Sequence, residues 1–127
     1  MEMIISGINW PAVFVGAVIA YVLGAFWYAD TLFGKKWKKG IGKPAVANTP
    51  MAYGMLAQAF GTIFLAWLVG VAYKIGSISL LVLITLTLAT LIKANGFFAG
   101  KTKYAIATET LFVVAMVLVM TFMHFIF

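Results

Sequence analysis

The sequence predicts an all-α membrane protein whose four transmembrane helices form an antiparallel bundle. Hydrophobic residues make up 65% of the 127 residues and charged residues only 9%, whereas soluble domains carry about 25% charged residues. Four apolar stretches, each long enough to cross a bilayer, are separated by short polar connections. They predict one domain with spans at about 10–30, 52–73, 78–96 and 104–126.

The distribution of lysine predicts the orientation of the chain. Cytoplasmic loops of membrane proteins carry an excess of Lys and Arg, and Lys74 is the only lysine in the second connection. We therefore expect a multi-pass protein of the cell (inner or plasma) membrane, with the first and third connections inside and both termini outside. The first connection holds Lys35, Lys36, Lys38, Lys39 and Lys43, and the third holds or adjoins Lys93, Lys101 and Lys103.

The positive charge also indicates which partners to expect. The net charge of +6 is concentrated in the connections, so it is typical of a topology signal rather than of a nucleic-acid-binding surface. Lysines beside a span attract anionic lipid by roughly 1 kcal/mol each, and we expect Lys35, Lys36, Lys38 and Lys39 to make such contacts. The expected partner is thus the lipid bilayer, and no nucleic acid is expected. The chain has no Cys, which excludes disulfides and thiol chemistry.

Small residues form a stripe along the first span. Ala12, Gly16, Ala20 and Gly24 recur every four residues, and small side chains let two membrane helices approach closely. The stripe is expected to pack either against another span of this chain or against a second copy of the protein, and the pattern does not choose between them. A weaker set in the second span comprises Ala57, Gly61, Ala66 and Gly70.

Aromatic residues mark the end of the first span. Trp27 and Tyr28 are expected at headgroup depth, and Phe33 and Trp37 share a face if the chain continues as a helix. That helix is predicted to lie along the inner membrane surface, with its lysines directed toward water. These four residues are predicted to anchor the protein at the interface, and the alternative is a recognition site for a lipid headgroup or a partner.

The same segment carries a family resemblance. It combines Asn-Trp, a span rich in small residues, Gly-x-x-Trp-Tyr and Leu-Phe-Gly-Lys-x-Trp, at Asn9, Trp10, Gly24, Trp27, Tyr28, Leu32, Phe33, Gly34, Lys35 and Trp37. In this it resembles the DUF1761 family of small four-span bacterial and archaeal membrane proteins. It departs at Asp30, beside the usual Ser-Pro position. Asn95, Phe98, Gly100 and Lys101 resemble a later family element, with Ala99 in place of its acid. The resemblance implies a compact four-span protein and supplies no reaction.

Four polar residues in or near the spans are candidates for chemistry: Gln58, Lys93, Asn95 and Glu109. A charge at the centre of a membrane helix costs about 2.5–3.5 kcal/mol on insertion scales. Lys93 and Glu109 flank the third connection, so an antiparallel hairpin brings them to similar depth. We expect a structural ion pair between them with Asn95 nearby, and the alternative is a proton- or ion-coupled site. Gln58 and Thr62 share a face of the second span and could hydrogen-bond across helices.

The remaining candidates concern metals and catalysis. Met116, Met120 and His124 share one face of the fourth span and are soft ligands of the kind that suit Cu(I). A methionine stripe is more typical of adaptable core packing. The sequence contains no Ser-His-Asp set, metal motif or phosphate loop. We therefore expect no catalytic site, no metal and no cofactor, and the protein is not expected to be an enzyme.

Two functional classes remain open. The first is a structural or accessory membrane protein that packs through small-residue helix faces into a homo-oligomer or a larger membrane complex. The second is a small transporter or channel subunit that forms a pathway by oligomerising. The first span has no carboxylate between Pro11 and Phe26, which favours the first class.

Overall fold

The computed structural model describes residues 2–42 and 51–127, and helices are the regular secondary structure in both ranges. Lys43 lies outside the described residues. Four of the helices are long and apolar enough to cross a membrane, and they pack together. The predicted fold class is thus confirmed. The helices are α1 (Glu2–Ile5), α2 (Trp10–Trp27), α3 (Gly34–Ile41), α4 (Met51–Ile75), α5 (Ile78–Phe98) and α6 (Lys103–Ile126).

The first spanning helix, α2, is shorter than its predicted span. Asn9 caps its beginning by accepting a hydrogen bond from the Ala12 amide at 3.2 Å, and Pro11 occupies the first turn. The helix ends at Trp27 rather than near residue 30, because the chain reverses through residues 28–33 before α3 begins. Its 18 residues still extend about 27 Å.

The connections between the later helices are tight. Gly76 adopts a φ of 75° between α4 and α5, a conformation that favours glycine. The Ser77 hydroxyl caps α5, and the Thr102 hydroxyl caps α6. Helix α5 runs past the predicted end at residue 96, where Gly96 allows close packing. A Cβ at Gly96 would lie 2.6 Å from Cγ1 of Ile106.

Helix α6 is the central element of the bundle, since it packs against α2, α5, α4 and α3 and is the most buried spanning helix. We call the end that contains α3 and the Gly100 turn the α3 end. The opposite end, with the Gly76 turn and both termini, is the hairpin end. Lys74 ties α1 to this end by donating to the carbonyl oxygens of Met3 at 2.6 Å and Ser6 at 2.7 Å.

The best-packed part of the core lies toward the hairpin end. Val13, Val69 and Met120 come from three different helices, and each is at most 1% exposed. The outward faces of α4 and α5 instead carry exposed large apolar side chains, among them Phe64, Val82 and others of their kind. This distribution fits helices whose outer faces meet hydrocarbon.

Candidate ligand-binding site at the α3 end

A cluster of aromatic rings fastens α2 and α3 to α6. The ring centroids of Tyr28 and Trp37 are 4.6 Å apart, those of Trp27 and Phe33 are 4.9 Å apart, and Tyr28 meets Phe112 edge-on at 5.3 Å. Such pairs contribute about 0.5–1.5 kcal/mol beyond the area they bury. The four residues predicted as interface anchors therefore do come together. They pack on α6 of the same chain rather than forming an outward-facing belt, because the reversal after α2 turns α3 inward.

The two indole groups of this cluster also donate hydrogen bonds to α6. Nε1 of Trp27 donates to the carbonyl oxygen of Thr108 at 3.0 Å, and Nε1 of Trp37 donates to Oε2 of Glu109 at 2.9 Å. A buried indole N–H requires such a partner. Consecutive residues of α6 thus receive one bond from the end of α2 and one from α3, which fixes the three helices relative to one another.

Glu109 is held by a lysine as well. Nζ of Lys101 lies 3.0 Å from Oε1 and 2.9 Å from Oε2, and the two side chains are 25% and 16% exposed. We call Trp37, Lys101 and Glu109 the Glu109 clasp. The predicted pair between Lys93 and Glu109 is wrong, because Lys93 lies on the exposed face of α5 whereas Lys101 lies in the connection just before α6. Asn95 is exposed on α5 too.

Glycines permit the close docking of α3. A Cβ at Gly40 would overlap the Thr102 hydroxyl and lie 2.7 Å from the Cβ of Ala105. At this contact the Thr102 amide donates to the Gly40 carbonyl oxygen at 3.0 Å. The sequence reasoning missed Gly34 and Gly40 as docking residues. The available signal was their position, since Gly34 and Gly40 flank the lysine-rich segment and such a segment otherwise has no need of small residues.

The lysines of α3 point away from the bundle. Lys35, Lys36, Lys38 and Lys39 are all exposed. Lys38 forms an exposed ion pair with Asp30 at 2.9 Å, and Nζ of Lys36 lies 5.0 Å from the centroid of the Tyr104 ring. Helix α3 is therefore amphipathic, with its small and aromatic residues against the bundle and its charges outside.

A cavity of about 540 Å³ lies beside the Glu109 clasp, between the spanning helices. This volume is in the range of small-molecule sites, about 300–1,000 Å³. Val13, Val69 and Met120 fill the core toward the hairpin end. The lining residues are Tyr21, Gly24, Ala25, Tyr28, Trp37, Gly54, Met55, Gln58, Ile92, Glu109, Phe112, Val113 and Met116.

Part of the cavity wall belongs to the first turns of α4, where residues 52–58 are all exposed. Among the described residues, one side-chain hydrogen bond joins this part of α4 to α2, from the Tyr21 hydroxyl to the Met55 carbonyl oxygen at 3.0 Å. Gln58 and Thr62 do share a face, and they bond each other within α4, where the Gln58 amide nitrogen donates to the Thr62 hydroxyl oxygen at 3.3 Å.

The polar groups of the wall include a phenol and a carboxylate. Tyr28 follows the end of α2, and its burial, together with the nearby Glu109 carboxylate, raises the pKa of its phenol. The phenol is therefore a neutral hydrogen-bonding group at the wall. Glu109 is already bonded to Lys101 and Trp37. Among the described residues there is no group of three His, Cys, Asp or Glu side chains that could hold a metal ion.

The small-residue stripe lies inside the bundle. Ala12 and Ala20 are at most 1% exposed. A Cβ at Gly16 would lie 3.3 Å from the Cα of Met120, and one at Gly24 would lie 3.0 Å from the Phe112 ring. Of the two packing arrangements left open above, the structure places this stripe against α6 of the same chain.

The methionine and histidine face of α6 is also internal. Met116, Met120 and His124 are buried. His124 stacks on Tyr73 with ring centroids 5.0 Å apart, and Met120 packs on Gly16. These contacts are those of core packing.

No family model matches this chain, and no curated protein and no solved structure matches it either. Its function is therefore argued from the geometry of these residues.

Proposed function

We propose that the protein is a structural or accessory component of the cell (inner or plasma) membrane that assembles with copies of itself or with a larger membrane complex. The observation that carries the proposal is a small-residue face on α4. Ala57 and Gly61 are exposed, and no atom lies within 4 Å of a Cβ placed at Gly61. The exposed rings of Phe60 and Phe64 stack beside it with centroids 6.4 Å apart.

This face is suited to a second helix. Without a hydrophobic force between helices in lipid, association depends on close van der Waals packing, and glycine and alanine permit the closest approach. Ala66 and Gly70, which belong to the same sequence set, are buried within the chain. The first two residues of the set, Ala57 and Gly61, are therefore exposed, and the last two are covered by the rest of the chain. Assembly through small residues would use that half, since the stripe of α2 is already covered by α6.

The polar groups of the spans favour this proposal over transport. Seven threonines in the described parts of the spans donate to the carbonyl oxygen four residues earlier in their own helix: Thr62, Thr85, Thr87, Thr90, Thr108, Thr110 and Thr121. Such groups are satisfied without a pathway. The alternative, a small transporter or channel subunit that builds a pathway by oligomerising, draws its support from Glu109 at the cavity wall.

The assembly proposal is tested by native mass measurement in mild detergent. We expect the wild-type protein to contain more than one copy or to carry a partner. Replacing Gly61 with Phe should remove the second component, because the large side chain holds the helices apart. Val82→Phe, at an exposed position of α5, is the matched control and should leave the mass unchanged. A wild-type protein that is a single chain without partners contradicts the proposal.

The orientation is part of the same proposal. The lysines of α3 support a cytoplasmic α3 end, with both termini outside. Single cysteines at Lys39 and Ser79, exposed at opposite ends of the bundle, distinguish the two orientations. In intact cells an impermeant thiol reagent should modify Ser79→Cys and spare Lys39→Cys until the cells are opened. The reverse pattern contradicts the orientation. The resemblance to the DUF1761 family remains a further proposal, consistent with a four-span protein.

A further inference from the structure

The cavity beside the Glu109 clasp needs an occupant when the bundle lies in a membrane. Its lining includes Gly54, Met55 and Gln58 of the exposed first turns of α4, a helix long and apolar enough to span the bilayer. If nothing filled the space, the apolar part of its wall would lose the van der Waals contacts that an occupant supplies. Apolar surfaces of this kind do not retain water. The surrounding hydrocarbon is therefore the natural source of whatever fills the space.

The walls of the cavity differ along its length. The apolar side chains of Ala25, Ile92 and Met116 line one part, and the Glu109 clasp closes the part nearest α3. An occupant that matches both parts has an apolar segment toward the middle of the bundle and a polar segment at the α3 end. This is the orientation that a phospholipid has in the leaflet next to α3.

The charge at the α3 end indicates which phospholipid fits. Asp30 and Glu109 are the carboxylates there, and each is already paired with a lysine. The remaining lysines leave a strongly positive surface that attracts anionic headgroups by roughly 1 kcal/mol for each lysine near the membrane. The lysines at this end are Lys35, Lys36, Lys38, Lys39, Lys93, Lys101 and Lys103.

We propose that this cavity binds an anionic phospholipid, with one acyl chain between α4 and α6 and the phosphate at the α3 end, where the lysines on the outer surface attract it. The site is separate from the assembly face, since Ala57 and Gly61 are not among the residues that line the cavity. Binding would also fill the space that the first turns of α4 leave open.

Two glycines of α4 provide a matched test. Gly54 lines the cavity and Gly61 does not, and among the residues that the structure describes no neighbouring atom lies within 4 Å of a Cβ placed on either glycine. Gly54→Phe should therefore fill the cavity without displacing the backbone. Gly61→Phe places the same side chain on the same helix outside the cavity. A third variant, Lys35→Gln with Lys39→Gln, removes exposed charge from α3 and leaves both lysines with described contacts, Lys36 and Lys38, in place.

The experiment titrates delipidated protein with phosphatidylglycerol or phosphatidylcholine in mild detergent and counts bound lipids by native mass measurement. Wild-type protein should retain phosphatidylglycerol in preference to phosphatidylcholine. Gly54→Phe should weaken that retention by about tenfold, and Gly61→Phe should leave it unchanged even where it reduces the number of copies. The double lysine variant should weaken phosphatidylglycerol binding and spare phosphatidylcholine.

A second measurement follows the acyl chain itself. Trp37 lines the cavity, so a phosphatidylglycerol with brominated chains should quench tryptophan fluorescence in the wild-type protein and less in Gly54→Phe. Equal retention of the two lipids by every variant, with unchanged quenching, would overturn the proposal and identify the bound lipid as an unspecific outer layer. A single-chain wild-type protein that still selects phosphatidylglycerol would contradict the assembly proposal alone.

Discussion

At the hairpin end the helices meet through small and compact side chains, whereas at the α3 end they are joined by aromatic rings, indole hydrogen bonds and an ion pair. Val13, Val69 and Met120 are nearly inaccessible, and Gly16 allows the backbone of α6 to approach closely. The α3 end instead depends on Trp37 and its neighbours. Close packing at the hairpin end fills the space between the helices. The hydrogen bonds and ring contacts at the α3 end hold particular atoms in place and leave space beside them.

This difference explains where the cavity lies. Close packing holds α2, α4 and α6 together at the hairpin end. At the α3 end the aromatic cluster and the Glu109 clasp join α2, α3 and α6, while in the described residues a bond between Tyr21 and Met55 links α4 to α2. Helix α4 takes no part in the aromatic cluster or the Glu109 clasp, and its first turns are exposed. A binding space can thus form without weakening the core.

The largest effect is expected where packing is closest. Gly16→Leu should lower the free energy of unfolding by about 3 kcal/mol, because an inserted side chain forces α2 and α6 apart. Thermal unfolding in detergent measures the loss. Gly61→Leu introduces the same side chain at an open position and should change stability by less than about 0.5 kcal/mol. Equal stabilities for the two variants would remove the distinction between the close-packed end and the open face.

An intermediate effect is expected at the Glu109 clasp. Glu109→Gln leaves the partly buried Lys101 ammonium without its partner and should cost about 2 kcal/mol. Lys101→Met should cost a similar amount, and the double variant should lose less than the sum of the single losses. Lys93→Met is the control and should have little effect, since Lys93 is exposed. Strictly additive losses would show that Lys101 and Glu109 do not interact directly.

The smallest effect is expected at the ion pair of Asp30 and Lys38, whose side chains are 65% and 60% exposed. Asp30→Asn should cost about 0.5 kcal/mol or less, and the difference should vanish at high salt because exposed pairs are screened. Unfolding measured at low and high ionic strength tests this. A large loss that persists in salt would mean that the surface charges of α3 stabilise the bundle as strongly as the clasp does.

The hydropathy of the chain was enough to predict the four spanning helices, because a bilayer requires long apolar stretches. It could not predict contacts that depend on the rotation of a helix about its axis. Lys93 and Lys101 both flank the third connection, and sequence position alone does not show that the first faces outward. The four anchor residues lie close together in the structure. The turn after Trp27, which sequence position alone does not show, directs their rings toward α6.

The cavity was beyond prediction from the sequence. Its lining comes from α2, α3, α4, α5 and α6 together, and no single one of these segments encodes how they meet. The small-residue pattern was visible in the sequence, but the sequence did not show which of these residues are covered. Gly16 and Gly61 belong to patterns of the same kind, and only the three-dimensional packing shows that one is covered by Met120 and the other is open.

The docking of α3 has a consequence for biogenesis. Trp37 is separated from Glu109 by 72 positions and Trp27 from the Thr108 carbonyl by 81. Chains are synthesised at about 5–20 residues per second, so α3 emerges seconds before its acceptors on α6 exist. During that interval the lysines of α3 would hold it at the membrane surface. Docking of α3 onto α6 therefore follows the synthesis of its acceptors, and truncation anywhere before Glu109 should leave a nascent chain with α3 undocked and sensitive to protease.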